Sequence, residues 1–455
     1  MSSCIDSLRE KYILKRTEII VLIVNEKELD GFRLKLEKAN VKEGKAIRIN
    51  DTEVHPFIAN GYHICYYLLP GKNGPAEAWK SFSIIADEFP NLKYIVNIGC
   101  CATVESKVEN IVLVAERIFD ADARKEEKDG PFYTRDSNRH YSSGNYLKEA
   151  VYSIKNETNL EYKVDYSGII SSSALIRNKE AKAKYTSAYP SGGGIEMEGT
   201  ALSDYALSRN IEWLMIKGTS DNGINKRGRK GQDIAAYNAT DVFLRLLSKE
   251  TVLPKMRPSV FIGGAFSSIS KKKCFEVEEN SEFLGTELLN NNYKLITGLG
   301  LIVGTNVLAS AYSFCNGPKN DNYEEFIETF PFPRTINKKK KERLMPLYVG
   351  NRQHMMKKSI ISIFIYGRKY KSGRYNGLKD EFDYASSEKL LRFVIPTKKT
   401  CSNYLFELLK QNSFDGISGI IDNDYKNINT STPFKDAVAM VLKNIDKIDH
   451  FFFSE

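Results

Sequence analysis

The stretch EIIVLIVNEKELDGFRLKLEK at residues 18–38 decides the class of fold. Its apolar opening is too short for a core helix and too continuous for a strand with one wet face, so it reads as a strand buried on both sides. The charged segment at 26–38 that follows reads as a helix. A second start of the same kind, SVFIG at 259–263, comes after TVLPKMRP at 251–258, where prolines flank a basic, sparsely patterned linker. Between the two starts, strands are predicted at 64–69, 94–98, 111–115, 168–172 and 213–217, and helices at 76–88, 199–209 and 234–248. The last helix carries Ala235, Ala236, Ala239, Val242, Phe243, Leu246 and Leu247 at helical spacing. After the second start a long helical pattern runs to Leu289. Apolar strands are predicted at 293–297, 359–366 and 391–396, and residues 317–343, rich in Asn, Pro and Lys, read as an excursion. Such alternation predicts two α/β domains with largely parallel sheets. The expected boundaries are an N-terminal extension at 1–16, a first domain at 17–250, a linker at 251–258 and a second domain at 259–455.

Composition agrees with a globular chain of this kind. The 455 residues are 42% hydrophobic and 27% charged, with 30 Gly, 14 Pro and 7 Cys, which excludes collagen-like, disordered and disulfide-scaffold classes. No apolar run approaches the about 18 residues of a membrane span, and the N-terminus alternates charge with apolar residues, unlike a signal peptide. A cytoplasmic protein without a membrane partner is expected. The seven cysteines form no CxxC and the five histidines no HxxxH, so neither a metal nor another cofactor is expected. The net charge of +9 comes largely from short runs at 226–230, 271–273 and 338–341. That excess is too scattered to argue for a nucleic-acid partner, although it suits a phosphate-bearing ligand.

Four segments of the first domain carry chemistry. Gly71 and Gly74 lie between a strand and a helix, where backbone N–H groups can hold an anion or a hydroxyl. Asn97-Ile-Gly99-Cys-Cys-Ala102 ends a strand in small residues. Glu196-Met197-Glu198-Gly199 sets two carboxylates at a helix start, and Ser220-Asp221 follows the strand at 213–217. Ligands of open α/β sheets sit at the carboxyl ends of strands, where these segments are expected to converge.

In this order, GxxGxxxA, NxGxxA, EMEG and SDNG resemble the nucleoside phosphorylase superfamily, and within it the methylthioadenosine/adenosylhomocysteine nucleosidases. The resemblance covers roughly residues 17–250 and implies a mixed-sheet α/β domain. It implies that Glu198 grips the ribose hydroxyls, with Met197 against sugar or base. It further implies that Asp221, oriented by Ser220, protonates the purine, and that Glu28, with Glu26 as the fallback, activates water. Gly71, Gly74, Gly99, Leu175 and Glu196 complete the expected substrate site. Breaking an N-glycosidic bond builds positive charge on the sugar and negative charge on the base, which is why one carboxyl should donate a proton and another accept one. The loop at 24–28, VNEKE, lacks the glycine and arginine that hold phosphate in the phosphorylases. Hydrolysis is therefore favoured, with Arg33 and Lys72 left as possible phosphate ligands. Residues 171–175, SSSAL, stand where the family carries a base-stacking phenylalanine, and Leu175 cannot stack as a ring does. The basic residues of 120–139 could meet a 5′-phosphate chain.

In the second domain Gly263 and Gly264 end a strand, and Gly298 and Gly300 in TGLGLIVG at 297–304 precede a helix. Arg352, Arg368 and Glu381 follow. The set resembles the SLOG superfamily of Rossmann-like domains, in the version found beside Sir2 and TIR enzymes of antiphage systems. The likeness, over about 257–455, implies a sensor for a cyclic nucleotide-type, ADP-ribose-derived messenger, of the sort TIR proteins make. In that reading those glycines, arginines and Glu381 line its pocket, with arginine clamping pyrophosphate. The combined expectation is an antiphage effector, homo-oligomeric, whose SLOG domain switches on a nucleosidase acting on a purine nucleoside or nucleotide such as ATP or NAD. Two alternatives stay open at this point: a housekeeping purine nucleoside phosphorylase or nucleosidase, and a non-catalytic nucleotide-sensing module.

Overall fold

The computed structural model describes the chain except residues 1, 72–73, 106–109, 128–129, 134–139, 142–143, 177, 223, 225–230, 250–252, 254, 269, 316–322, 334–337 and 373–375. The basic run at 226–230, Lys72 and part of the segment at 120–139 lie outside the described residues. The chain opens with α1 (Ser2–Arg16). Next come β1 (Ile19–Ile23), α2 (Glu26–Lys38), β2 (Ile47–Ile49), β3 (Thr52–Ala59), β4 (Tyr62–Leu68) and α3 (Pro75–Ile85). Then follow β5 (Tyr94–Thr103), β6 (Ile111–Asp120), the hairpin β7 (Arg124–Glu127) and β8 (Gly130–Tyr133), and β9 (His140–Tyr141). After α4 (Gly144–Lys155) come β10 (Lys163–Ser171), α5 (Lys179–Ala188), β11 (Gly192–Glu196), α6 (Gly199–Arg209), β12 (Glu212–Asp221) and α7 (Gln232–Leu247).

These elements, without α1, form one compact unit, Thr17–Met256 with Phe452–Glu455. All five residues of β1 are fully buried, as an unbroken apolar strand requires, and it runs parallel between β4 and β5. The sheet order is β11-β10-β6-β12-β5-β1-β4-β3-β2. β11 also pairs with β5, so β5, β12, β6, β10 and β11 close into a ring. The sheet is mixed: β3 pairs antiparallel with β2 and β4, as do β11 with β5 and β12 with β6. The expectation of largely parallel pairing is thus too simple for this unit. The ends of β5, β11 and β12 meet at one side of that ring, and the site lies there.

The other unit is Met1–Arg16 with Arg257–Phe451. Its strands are β13 (Ser259–Gly263), β14 (Lys294–Thr297), β15 (Ile327–Thr329), β16 (Ile361–Ile365) and β17 (Leu391–Ile395). Its helices after α1 are α8 (Lys271–Asn290), α9 (Val303–Cys315), α10 (Lys338–Lys358), α11 (Gly377–Ser387), α12 (Cys401–Gln411), α13 (Asn423–Lys426) and α14 (Phe434–Ser454). The order β15-β14-β13-β16-β17 is parallel throughout. β13 comes first in the chain and lies in the middle, so the winding reverses beside it and opens a crevice at its carboxyl end. Residues 338–343, expected in an excursion, begin α10.

Residues 1–16, expected as an extension, cluster with this unit. Tyr12 donates a 2.6 Å hydrogen bond to Asp449 of α14, and Arg16 reaches the same carboxylate at 3.4 Å. Lys15 donates to the Met356 and Ser359 carbonyls at the end of α10 (3.2 and 2.9 Å), and burial draws its pKa down to about 8. Asp449 is buried, so removing it withdraws the acceptor from a buried hydroxyl and the partner from a buried cation. Asp449→Ala should cost about 2–4 kcal/mol. It should appear as an earlier urea transition by circular dichroism, and an unchanged midpoint would show that the cluster contributes nothing.

Candidate active site

The turn from β1 into α2 builds the first wall of the site. Asn25 caps α2, its Oδ1 accepting from the N–H groups of Lys27 and Glu28 at 3.0 and 3.1 Å. Glu28, in the first turn, folds back so that Oε2 accepts from Val24 N–H at 3.1 Å, while Oε1 accepts from Cys100 N–H on β5 at 2.7 Å. Two backbone donors and the positive end of α2 therefore hold this carboxylate in one place. Gly99 makes the approach possible, because a Cβ there would stand 2.5 Å from the Glu28 carboxylate.

The turn from β11 into α6 supplies two more carboxylates. Glu196 accepts from Glu198 N–H at 2.7 Å and Gly199 N–H at 3.0 Å, satisfying amides at the start of α6. Glu198 is buried, and the backbone N–H of Gly74, at the start of α3, is bonded to its carboxyl. Facing all three acids is Lys217 of β12, fully buried, whose Nζ has no hydrogen-bond partner among the described residues. Burial opposes its charge, but Glu28, Glu198 and Glu196 outweigh burial and raise its pKa. Three acids around one ammonium leave excess negative charge. Burial, helped by Glu196 and Glu28 and opposed by Lys217 and the Gly74 N–H, pushes Glu198 up to about 8.

Glu28, Glu196, Met197, Glu198 and Leu175 line one cavity of about 230 Å³, together with Val24, Asn25 and Cys100–Ala102. Gly99 lies behind Glu28. Ser220 and Asp221 do not line this cavity but stand beside it. Asp221 is in register with Ala102, and Ser220 Oγ donates to Asp221 at 3.1 Å and to the Cys101 carbonyl at 3.4 Å. Gly71 lines a separate cavity of about 670 Å³ that shares Val24 and Asn25 and also contains Glu26 and Arg33. Arg33 is engaged there: it donates to Tyr66 Oη at 2.7 Å and lies 3.8 Å from Glu43.

In the other unit, Gly263, Gly264, Gly298, Gly300, Arg352, Arg368 and Glu381 all line one cavity of about 340 Å³ at the carboxyl end of β13. A Cβ on Gly300 would lie 2.0 Å from the Gly264 carbonyl, so the two glycine loops touch through bare backbone. Arg352 and Glu381 are inside, 3.5 Å apart, whereas the side chain of Arg368 is exposed. Burial pushes Glu381 up to about 7 against the pull of Arg352, whose guanidinium lies 5.0 Å from the Phe332 ring centre. Phe332 and Asn376, which join the lining, were not predicted. Neither was Lys217, because a lysine closing an apolar strand looks like a surface residue. Among the described residues no group of acids, histidines and cysteines could hold a metal ion, and no helix is long and apolar enough to cross a membrane.

Fold and sites thus define a two-unit α/β protein, with an acid-lined cavity in one unit and a glycine- and arginine-lined cavity in the other. Residues 249–448 match the model of the Sir2- and TIR-associating SLOG family, so this segment is a SLOG domain. The curated protein NAD(+) hydrolase ThsA of Enterococcus faecium is 24% identical over 169 residues, which span 35% of this chain and only 33% of that protein. Among solved structures, the 5′-methylthioadenosine/S-adenosylhomocysteine nucleosidase of Neisseria meningitidis is similar over 51% of this chain and 99% of its own, at 17% identity and a TM-score of 0.43. Futalosine hydrolase of Helicobacter pylori is similar over 52% and 98%, at 16% identity and a TM-score of 0.43.

The raised pKa of Glu198 has a consequence for stability. The folded state holds its proton more tightly than the unfolded chain, so the stabilisation is complete below the ordinary carboxyl pKa and is lost as pH rises through about 8. Glu198→Gln cannot ionise and escapes this loss. Melting curves between about pH 5 and pH 9 should show the variant gaining on the wild type as pH rises. A constant difference would mean that Glu198 does not titrate in that window.

Proposed function

We propose that the first unit hydrolyses the N-glycosidic bond of a purine nucleoside or nucleotide, and that the SLOG domain controls it by binding a cyclic nucleotide-type messenger. The observation that carries this reading is the grouping of Glu28, Glu196 and Glu198 around Lys217 at the wall of one cavity, with Ser220 and Asp221 beside it. Glu28 takes a proton from water as it attacks the sugar carbon. Glu198 accepts from ribose hydroxyls and holds the sugar against that water. Asp221 passes a proton to the departing base. The excess negative charge of the cavity favours the oxocarbenium-like sugar over the neutral substrate, which is the differential binding that lowers a barrier.

Water is preferred to phosphate as the nucleophile. Arg33 is held by Tyr66 and Glu43, and the acid-rich wall would repel an incoming dianion. The matching SLOG family and the relative named as an NAD(+) hydrolase support a signal-gated effector acting on a nucleotide such as NAD or ATP, in the setting of antiphage defence. A homo-oligomer in the cytoplasm and a TIR-type source of the messenger belong to the same proposal.

The test is release of free base. The full-length protein is incubated with ATP, ADP, NAD, adenosine or methylthioadenosine, with and without cyclic ADP-ribose isomers, and the products are separated by chromatography. Base should appear from at least one substrate, more of it with messenger, and without any requirement for phosphate. Glu28→Gln and Asp221→Asn should each lower kcat about 100-fold or more. No base under any condition would refute the hydrolase.

The sensor cavity yields a separate expectation. Arg352→Ala removes a buried cation from the glycine-lined cavity, so calorimetric binding of a cyclic ADP-ribose isomer should weaken by at least about 10-fold. Basal base release should be unchanged. Binding equal to wild type would exclude Arg352 as a messenger ligand.

A further inference from the structure

One buried charge beside the site has no part in the reaction described above. Lys182, on α5, is only 6% accessible, and its Nζ donates to the Glu105 carbonyl at 2.7 Å and the Asn222 carbonyl at 3.0 Å. Glu105 lies two residues beyond the end of β5, and Asn222 directly follows Asp221, the last residue of β12. Cys100–Ala102 on β5 line the acid cavity, and Ser220 bonds to the carbonyl of Cys101. One side chain therefore fastens together the two loops that leave the base-side wall of the site.

Fastening alone does not call for a charge. A neutral amide would donate to carbonyls without the penalty of burying an ammonium. That penalty is visible here: burial lowers the Lys182 pKa, and the carboxylates of Asp221 and Glu105 act in the opposite direction. Asp221 is thus within electrostatic reach of an ammonium whose position is set by two backbone bonds.

We propose that Lys182 is a positioning residue for departure of the base: it fixes the main chain that carries Asp221 and stabilises the Asp221 carboxylate that forms on proton transfer. The inference rests on the hydrolase reading. As the C–N bond breaks, its electron pair goes to the base nitrogen, and the Asp221 proton follows to that nitrogen. Water adds to the sugar carbon and gives its proton to Glu28. Asp221 is left anionic within electrostatic reach of the Lys182 ammonium, which stabilises that carboxylate.

This role depends on what the leaving group needs. A purine must be protonated to leave well, whereas 4-nitrophenolate leaves as a stable anion. Lys182→Met and Lys182→Gln should therefore lose about 10-fold or more of kcat/KM on the purine substrate found in the base-release assay. On 4-nitrophenyl β-ribofuranoside, absorbance assays should find them within a few-fold of wild type, and Lys182→Arg should recover most of the purine activity. Glutamine retains donors for the two carbonyls, so its loss on the purine substrate reports the charge. Equal loss on both substrates by both variants, or full activity of Lys182→Gln on the purine, overturns the role assigned to Lys182 while leaving the hydrolase intact. A wild type that cleaves neither substrate overturns the hydrolase, and this role falls with it.

Discussion

A single buried ammonium organises the first unit. Lys217 sits at zero accessibility on β12, and only the acids of two other segments make its charge tolerable there. Burial alone would lower its pKa, and the attraction of Glu28, Glu198 and Glu196 reverses that shift. Each acid is in turn fixed by backbone: Glu28 by Val24 and Cys100, Glu196 by Glu198 and Gly199, Glu198 by Gly74. The strand pairing that closes β5, β12, β6, β10 and β11 into a ring is what brings these segments together. Fold and site therefore share one condition: without the ring the lysine is an unpaired buried charge, and without the lysine the acids repel one another.

The second unit solves a different problem with different means. Its sheet is parallel throughout, and its cavity lies where the winding reverses beside β13. Bare glycine backbone lets two loops touch at Gly264 and Gly300. Arg352 lies against Phe332 on one side and Glu381 on the other, so the cation is oriented before any ligand arrives. Near neutral pH Glu381 is close to its raised pKa, and the pair has little net charge of its own to oppose an anionic guest.

Much of this was legible in the sequence because it depends on local pattern. The run at 19–24 and the helix after it appear as β1 and α2, and EMEG marks the start of α6. Other features are settled by partners far away in the chain. Lys217 could not be singled out, since its burial depends on Glu28 and Glu196, which no local window contains. α1 lacks a clear apolar stripe and is held by Tyr12 and Arg16 on Asp449. α10 carries Pro346, which argues against a helix on propensity alone. β6 continues to Asp120 through Glu116 and Arg117, where its pairing with β10 shifts register. One local signal was present but unused: Asn60 and Gly61 both have positive φ between β3 and β4, the backbone that a two-residue hairpin turn requires.

The same electrostatics bears on which nucleophile the first unit admits. A phosphorylase must hold a dianion against the sugar, which calls for several cations or helix ends at that face. Here the cavity wall holds one ammonium and three acids, and the nearby guanidinium of Arg33 is committed to Tyr66 and Glu43. Bringing phosphate in would add negative charge to a cavity that already favours a proton on Glu198 to limit its own repulsion. Water carries no charge to repel, and Glu28, pinned by two backbone donors, retains lone pairs to accept its proton. A cavity rich in acid and poor in cations is therefore consistent with the proposed hydrolysis and works against phosphorolysis.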